Sequence, residues 1–330
     1  TDGVVVDDTA FDPGFMPPGF DQKNEDAAYR APIGAVSVNF NSVSITVIPA
    51  KTAGEPAEVV IFPPNKHIEV ASKAKTVKGR KRRIGVKSIT TEKGTLIEVR
   101  GVIGVDASNS VSRKRIDNPS VFAASIMVEA LRSVGIVVEG EAVRGLRPKS
   151  AKSLVLSEST PLMWHVMMMN KWSNNFMAEQ IFRLLGDDGT TATIAKSYET
   201  VDSFLSAAGV GGKYKMYNGS GLYDGNLFSP KQIVGVLAFM SKHRYGPEFA
   251  ASLAIGGEDG TLGKRFKSKD FPGDIRGKTG TLNQVSALSG YLTTRSGKRL
   301  AYSILINDTP VKAWTLRSQQ DAIAAALADL

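Results

Sequence analysis

The chain has 330 residues, of which 42% are hydrophobic and 22% charged, so it can bury a sizeable core and is not a disordered protein. It contains no cysteine and three widely separated histidines, which excludes disulfides and cysteine-based metal sites, and we expect no metal or organic cofactor. The formal net charge is +9, and nearly all of it comes from one segment without acidic residues, which holds Lys73, Lys75, Lys78, Arg80, Lys81, Arg82, Arg83 and Lys87. Because this basic segment is local and has no interleaved aromatic residues, we expect no nucleic-acid partner.

Strand patterns dominate the chain up to about residue 145. Apolar residues alternate with polar ones or form short runs at 4–6, 36–40, 43–47, 59–62 and 95–103. One helix interrupts them, with Asp117 or Asn118 as the expected N-cap, Pro119 as the first helical residue and Gly135 as the C-terminal cap. The pattern predicts a β-rich region that contains one helix.

Helical spacing takes over from about residue 146. Apolar faces predict helices that carry Met177, Ile181, Leu184 and Leu185, then Tyr198, Val201, Phe204 and Leu205, then Ile233, Val236, Leu237 and Met240. The strand patterns at 285–292 and 300–306 predict a hairpin, and the last apolar face comprises Leu316, Ile323, Leu327 and Leu330. This order is typical of an α+β fold. The change of pattern predicts two domains, residues 1–145 and residues 146–330.

Two short motifs in the second half are candidates for chemistry. The sequence has neither a Gly-x-Ser-x-Gly elbow nor a glycine pattern that matches a phosphate loop. Ser173-Asn174-Asn175, however, lies between two helical stretches, and Lys278-Thr279-Gly280 comes directly before the predicted hairpin. Taken alone, Ser173 is better explained as a helix N-cap and Lys278 as a solvated strand residue.

The sequence around both motifs changes this interpretation, because it resembles a known family. The second half contains, in this order, KWSNNFMAEQIFRLLG, YNGSGLYDGNLFSP, LAIGGEDGTLGKRF and IRGKTGTLNQVSALSGYLTTRSGKRLAYSI. These segments resemble the penicillin-binding D-Ala-D-Ala carboxypeptidases/endopeptidases of the low-molecular-mass class C type. VVVDDTAFD, PGF and YRAPIGAVSVNFNSVSITV in the first half look like the domains inserted in those enzymes. The resemblance implies a β-lactamase/transpeptidase-like domain, an antiparallel sheet with helices, plus inserted β-rich domains.

The resemblance also implies an activity and three catalytic residues. Such enzymes cut peptidoglycan stem peptides between two D-alanines through an acyl-serine intermediate, and β-lactams bind in the same place. Ser173 would pass a proton toward the leaving amine, and Asn175 would bind the substrate backbone and orient the catalytic lysine. Lys278 would supply positive charge near the terminal carboxylate and keep the neighbouring lysine neutral.

Three substrate-binding residues follow Lys278. By resemblance, the hydroxyl groups of Thr279 and Thr281 would bind the terminal carboxylate, and the N–H of Thr281 would form half of an oxyanion hole. The strand after Gly280 would pair with the substrate as an added β-strand. A side chain at Gly280 would hinder that approach.

The family's third motif, Ser-x-x-Lys, should supply the nucleophile and its base, and here the chain departs from the pattern. Its one match, Ser72 to Lys75, lies within the basic segment and not at the start of an apolar helix. In the family the motif precedes the inserted domains, so we expect it upstream of Thr1 and expect this chain alone to be inactive. The alternative is a non-catalytic cell-wall-binding module that keeps the cleft and has lost the nucleophile.

The expected partners are peptidoglycan peptides, β-lactams and the missing N-terminal segment, in a periplasmic or otherwise extracytoplasmic location. We expect the basic segment to be a solvated hairpin, whose best ligand would be an anionic envelope polymer or membrane head groups. The sequence leaves open a homo-oligomer and the choice between carboxypeptidase and endopeptidase.

Overall fold

The computed structural model describes residues 2–23, 25–92, 94–223, 225–267, 271 and 274–330. It divides into two compact units. The first comprises Thr1–Val155 and Asp187–Thr193, and the second comprises Leu156–Gly186 and Ile194–Leu330. The border thus falls after Val155, and the segment Asp187–Thr193 returns to the first unit. The predicted domain border at 145/146 stays a prediction, and its first residue, Thr1, lies outside the described residues.

The first unit is rich in strands, as its sequence predicts. Its helix and strands are β1 (Val4–Val6), β2 (Ser42–Ile48), β3 (Glu58–Phe62), β4 (Ile68–Val77), β5 (Arg82–Thr91), β6 (Gly94–Gly104), β7 (Ser110–Arg115), α1 (Pro119–Ser133) and β8 (Ala142–Arg144). The strands form three sheets with the orders β1-β8, β3-β2-β7 and β4-β6-β5. The alternation of β2 buries Val43, Ile45 and Val47 in a core shared with Ile97 and Phe122.

Capping chemistry fixes the start of α1 as predicted. The Asn118 side chain accepts a hydrogen bond from the Val121 N–H. Pro119 lies in the first turn, where the N–H group that proline lacks would have no partner within the helix. Gly135 adopts a left-handed φ of 85° just after the helix. The predicted strand at 36–40 is wrong, because this stretch forms bends and a short 3₁₀ turn, Asn39–Asn41, before β2 begins.

The basic segment is not the expected hairpin. It runs from β4 through a turn into β5, but these two strands flank β6 and do not pair with each other. The physical reason is the apolar content of β6, whose Ile97, Val99 and Ile103 are fully buried. An apolar strand gains most from the central position, whereas cation-rich strands are tolerated at sheet edges.

The second unit combines helices with an antiparallel sheet. Its elements are α2 (Leu162–Trp172), α3 (Asn175–Leu184), α4 (Ile194–Ala207), α5 (Pro230–Lys242), α6 (Gly246–Ser252), β9 (Ala254–Ile255), β10 (Ile275–Leu282), β11 (Val285–Thr293), β12 (Arg299–Ile306) and α7 (Ala313–Ala328). The predicted hairpin is confirmed as β11 and β12, within the sheet order β12-β11-β10-β9. Leu262, Ile275, Leu288 and Leu292 form the main core cluster with Ala324 of α7.

Two predicted helix faces are partly wrong, and on a third, that of α4, Phe204 is 39% exposed. In α3 the buried residues are Glu179, Phe182 and Arg183, while Leu184 is 49% exposed. In α7 the buried residues are Leu316, Gln320, Ala324 and Ala328, while Ile323 is exposed and Leu330 lies beyond the end of the helix. In both helices, small or hydrogen-bonding residues are among those buried against the rest of the unit. The spacing of hydrophobic residues alone does not reveal such positions. Among the described residues, no helix is long and apolar enough to cross a membrane.

Candidate active site

Ser173 occupies the tight reversal between two helices. It follows the last residue of α2 with a left-handed backbone, φ 55° and ψ 50°, and its N–H still donates to the Met169 carbonyl. The next residue, Asn174, caps α3 by accepting the Met177 N–H at 3.0 Å. The cap expected at Ser173 therefore belongs to Asn174, and the Ser173 side chain remains exposed at the helix junction. Asn175 is the first residue of α3 and is half-buried.

Lys278 meets Ser173 although the two lie 105 positions apart. Lys278 sits in β10, opposite Ser289 of β11, and its Nζ donates to Ser173 Oγ at 2.8 Å and to the Thr279 carbonyl at 2.7 Å. Burial lowers the pKa of the Lys278 ammonium to about 8. A lysine with such a lowered pKa is still mostly charged at neutral pH but gives up its proton more readily than an ordinary lysine, so it can hold and release a proton at Ser173 Oγ.

Thr279, Gly280 and Thr281 continue along a partly unpaired strand. β11 pairs with β10 along its whole length, but β9 pairs only with Arg276 and Gly277. Among the described residues, the edge of β10 from 278 to 282 therefore has no strand beside it on the β9 side. Such an edge offers backbone donors and acceptors to an extended peptide.

Arg317 is a site residue that the sequence analysis missed. It is exposed on α7, and its guanidinium donates to Thr281 Oγ1 at 3.3 Å. A second cation therefore stands beside the strand that carries Lys278. No local signal marks Arg317, because only the packing of α7 against the sheet brings this residue to Thr281.

Glu179 is a second missed residue, one helical turn after Asn175. It is 1% exposed, and its carboxylate accepts the N–H groups of Gly219 at 3.1 Å and Ser220 at 2.8 Å. Burial raises the pKa of this carboxyl group, and hydrogen bonds from the Ser220 hydroxyl and from the two N–H groups oppose that shift. A Cβ at Gly219 would lie 2.6 Å from the Ala178 carbonyl oxygen, so glycine is required for this approach. Glu179 thus ties the turn at 218–221 to the helix that begins at Asn175.

The helix that leads to Ser173 has an inverted polarity. Its polar residues point inward, since Asn170 donates to Ser252 Oγ at 2.8 Å and Lys171 forms an ion pair with Asp259 at 2.6 Å. Its outer side carries an apolar stripe at helical spacing, Trp164, Met168 and Trp172, exposed by 56%, 46% and 60%. Met168 is thus exposed, whereas Met167 and Met169 on either side of it are partly buried.

The other candidate motifs do not assemble a site. Ser72 and Lys75 both lie in β4, three residues apart, so their side chains leave the strand on opposite faces and cannot act as nucleophile and base together. Within the ranges that the structure describes, no three His, Asp or Glu side chains are close enough to hold a metal ion.

Comparison with known proteins identifies the family of this chain. All residues, 1–330, match the model of the D-Ala-D-Ala carboxypeptidase 3 (S13) family. A D-alanyl-D-alanine carboxypeptidase of Actinomadura sp. (strain R39) is 32% identical over 99% of this chain and 63% of the relative. The D-alanyl-D-alanine carboxypeptidase DacB of Haemophilus influenzae is 29% identical over 58% of this chain and 41% of the relative. The chain thus spans less than two thirds of the length of these relatives.

Solved structures show the same fold. The crystal structure of penicillin-binding protein 4 (dacB) from Haemophilus influenzae has a TM-score of 0.80 and 21% identity, covering 99% of this chain and 74% of that one. The same protein in complex with a β-lactam has a TM-score of 0.71 and 22% identity, covering 91% and 71%. The expected α+β fold is confirmed. Since the family model matches from the first residue to the last, the chain belongs to the D-Ala-D-Ala carboxypeptidase 3 (S13) family.

Proposed function

We propose that this chain is part of a serine-type D-Ala-D-Ala peptidase that acts on peptidoglycan stem peptides through an acyl-serine and binds β-lactams. The contact of 2.8 Å between Lys278 Nζ and Ser173 Oγ carries the proposal, because it joins two family motifs in one site. The family match and the names of the relatives support it. A substrate built from peptidoglycan further implies an extracytoplasmic location.

The substrate lies in this proposal along the open edge of β10. Its backbone pairs with residues 278–282, and Asn175 contributes a further hydrogen bond to it. Its terminal carboxylate binds the ammonium of Lys278 and the hydroxyl groups of Thr279 and Thr281. Arg317, which already contacts Thr281 Oγ1, adds a second positive charge. The absence of a side chain at Gly280 lets the peptide approach closely, and the Thr281 N–H stabilises the oxyanion.

Ser173 relays the proton in this proposal. The acyl transfer needs a proton on the leaving amine when the D-Ala–D-Ala bond breaks. Ser173 Oγ accepts a hydrogen bond from Lys278 and can donate its own proton to that amine, and Lys278 then restores it. The lowered pKa of Lys278, about 8, makes this return possible near neutral pH.

The nucleophile and its base are proposed to lie on a Ser-x-x-Lys helix outside this chain. Within these 330 residues, Ser-x-x-Lys occurs only in β4, with its two side chains on opposite faces. We place the missing helix against the stripe of Trp164, Met168 and Trp172, because large exposed apolar side chains indicate a covered surface. This stripe ends beside Ser173, where the nucleophile is needed.

Labelling with a fluorescent penicillin tests the function. We expect the protein with its preceding segment to be acylated at a serine outside residues 1–330, and this chain alone to stay unlabelled. Ser173→Ala should slow acylation about 100-fold or more, since one proton-transfer step loses its relay. Ser206→Ala, an exposed serine of α4, is the matched control and should behave like the wild type.

Two outcomes would count against the enzyme. One is a long protein that takes no label, and the other is equal labelling of Ser173→Ala and wild type. If the long protein takes no label but this chain binds insoluble peptidoglycan, the rival function, a non-catalytic cell-wall-binding module, is supported. Lack of a usable Ser-x-x-Lys in this chain is the observation that favours that rival. Release of D-Ala from a pentapeptide, compared with cleavage of cross-linked dimers, separates carboxypeptidase from endopeptidase.

A further inference from the structure

The strand register of the first unit gathers cations on one face of a sheet. In the sheet β4-β6-β5, cross-strand neighbours point to the same side, and Ala74, Ile97 and Val99 mark the buried side. On the opposite side, the cross-strand neighbours of β4, β6 and β5 form rows of three residues, one from each strand. These rows are Ala71–Glu98–Lys87, Lys73–Arg100–Gly85 and Lys75–Val102–Arg83. The outer face therefore presents Lys73, Lys75, Arg83, Lys87 and Arg100.

Few carboxylates balance this face. Glu98 forms an ion pair with Arg100 at 3.0 Å, and Glu69 lies at the far end of β4, opposite Leu96. Lys73 and Arg100 are direct cross-strand neighbours, an arrangement that disfavours the sheet because like charges face each other. Lysines on edge strands can serve to prevent aggregation, but Arg100 belongs to the central strand, where that explanation does not apply.

The chemistry and shape of the face indicate its ligand. Alternate residues along a strand are about 6.7 Å apart and neighbouring strands about 4.8 Å, so the cations form parallel rows suited to a chain of repeated anions. Arginine and lysine are the usual phosphate partners in proteins. The larger apolar residues of this face, Val77, Ile89, Leu96 and Val102, are only partly exposed, whereas membrane docking needs apolar anchors. The paired residues of the face include no aromatic side chain for base stacking.

We propose that the outer face of the sheet β4-β6-β5 is a binding site for a linear polymer of phosphodiester units, an anionic wall polymer. The polymer lies along β6, with its phosphates between the ammonium groups of Lys73 and Lys75 on one side and the guanidinium of Arg83 on the other. The turn that joins β4 to β5 extends the site with further exposed cations, Lys78, Arg80 and Lys81. The site contains none of the candidate catalytic residues, so a binding measurement tests it without an assay of peptidase activity.

Equilibrium binding to fluorescein-labelled poly(ribitol phosphate) tests the proposal. In the triple variant Lys73→Ser, Lys75→Ser, Arg83→Ser, we expect binding to weaken about tenfold or more at low salt and to depend less on salt, since fewer counterions are released. The control Lys149→Ser, Lys152→Ser, Lys231→Ser removes the same charge from exposed positions elsewhere and should bind like the wild type. If both triple variants bind equally weakly, net charge alone explains the effect, and the proposed site is wrong.

A second variant tests the face without removing any cation. A Cβ at Gly85 would meet only the Arg100 carbonyl oxygen, at 4.0 Å, so Gly85→Glu fits sterically and puts a carboxylate beside Arg100. We expect it to fold with unchanged circular dichroism and to lose polymer binding. The proposal would be overturned if the wild-type protein did not bind the polymer. It would also be overturned if the wild-type protein bound phosphatidylglycerol vesicles or duplex DNA more tightly than the polymer at equal phosphate content.

Discussion

Lys278 lies at the contact between β10 and the junction of α2 and α3. It is half-buried in β10, and its ammonium donates to a side chain, Ser173 Oγ, and to a backbone carbonyl. Neither acceptor carries a full negative charge, so burial dominates and the pKa falls to about 8. An isolated sequence motif cannot reveal this value, because it depends on the packing around β10.

The Lys278 ammonium gives a pH prediction for ligand binding. The folded pKa, about 8, lies below the ordinary lysine value, so the positive charge is present below pH 8 and is lost as the pH rises through it. We expect a diacetyl-Lys-D-Ala-D-Ala peptide to bind roughly tenfold more weakly at pH 9.5 than at pH 6.5, since a charge-assisted hydrogen bond is lost. Calorimetry measures this change. A peptide with a C-terminal amide is the control, and an equal loss for both peptides would contradict the role of Lys278.

At the scale of elements, the sequence predicted the strands and caps better than the helix faces. The alternation of β2, the Asn118-Pro119 start of α1 and the hairpin β11–β12 follow from local patterns. Local patterns do not predict which strands flank β6 or which side of α3 is buried, because tertiary packing decides both. In the candidate site, the sequence motifs mark Ser173 and Lys278, which the structure brings together, and their catalytic roles stay predictions, whereas no motif marks Arg317.

The tie between α3 and the turn at 218–221 gives a stability prediction. The two oxygens of the Glu179 carboxylate each accept one backbone N–H. In Glu179→Gln only one oxygen remains, and the NH₂ group that replaces the other faces the N–H of Gly219 or Ser220 and cannot accept a hydrogen bond from it. We expect the free energy of unfolding to fall by about 2 kcal/mol, the usual effect of a buried donor left without its acceptor. Urea unfolding measures it. Glu199→Gln, exposed on α4, is the control, and equal stability of the two variants would show that the tie contributes nothing.

At the scale of the whole molecule, the border between the two units is a long exposed stretch. Residues 147–162 are all exposed, and from 145 to 161 they form no helix or strand. We expect trypsin to cut first after Lys149 or Lys152, because the basic segment, although richer in lysine and arginine, is held in β4, β5 and a turn bonded to residues 104–106. Mass spectrometry of the first fragments checks this. A first cut within residues 73–87 would contradict it.

The segment Asp187–Thr193 makes the first unit discontinuous along the chain. It is held there by backbone hydrogen bonds of Ala192 with Ala10 and Asp12. A chimera with a relative that exchanges only residues up to Val155 would leave Ala192 to pair with foreign residues. A clean exchange of the first unit therefore needs junctions after Val155, Gly186 and Thr193, so recombination by a single crossover between relatives would separate residues that contact each other.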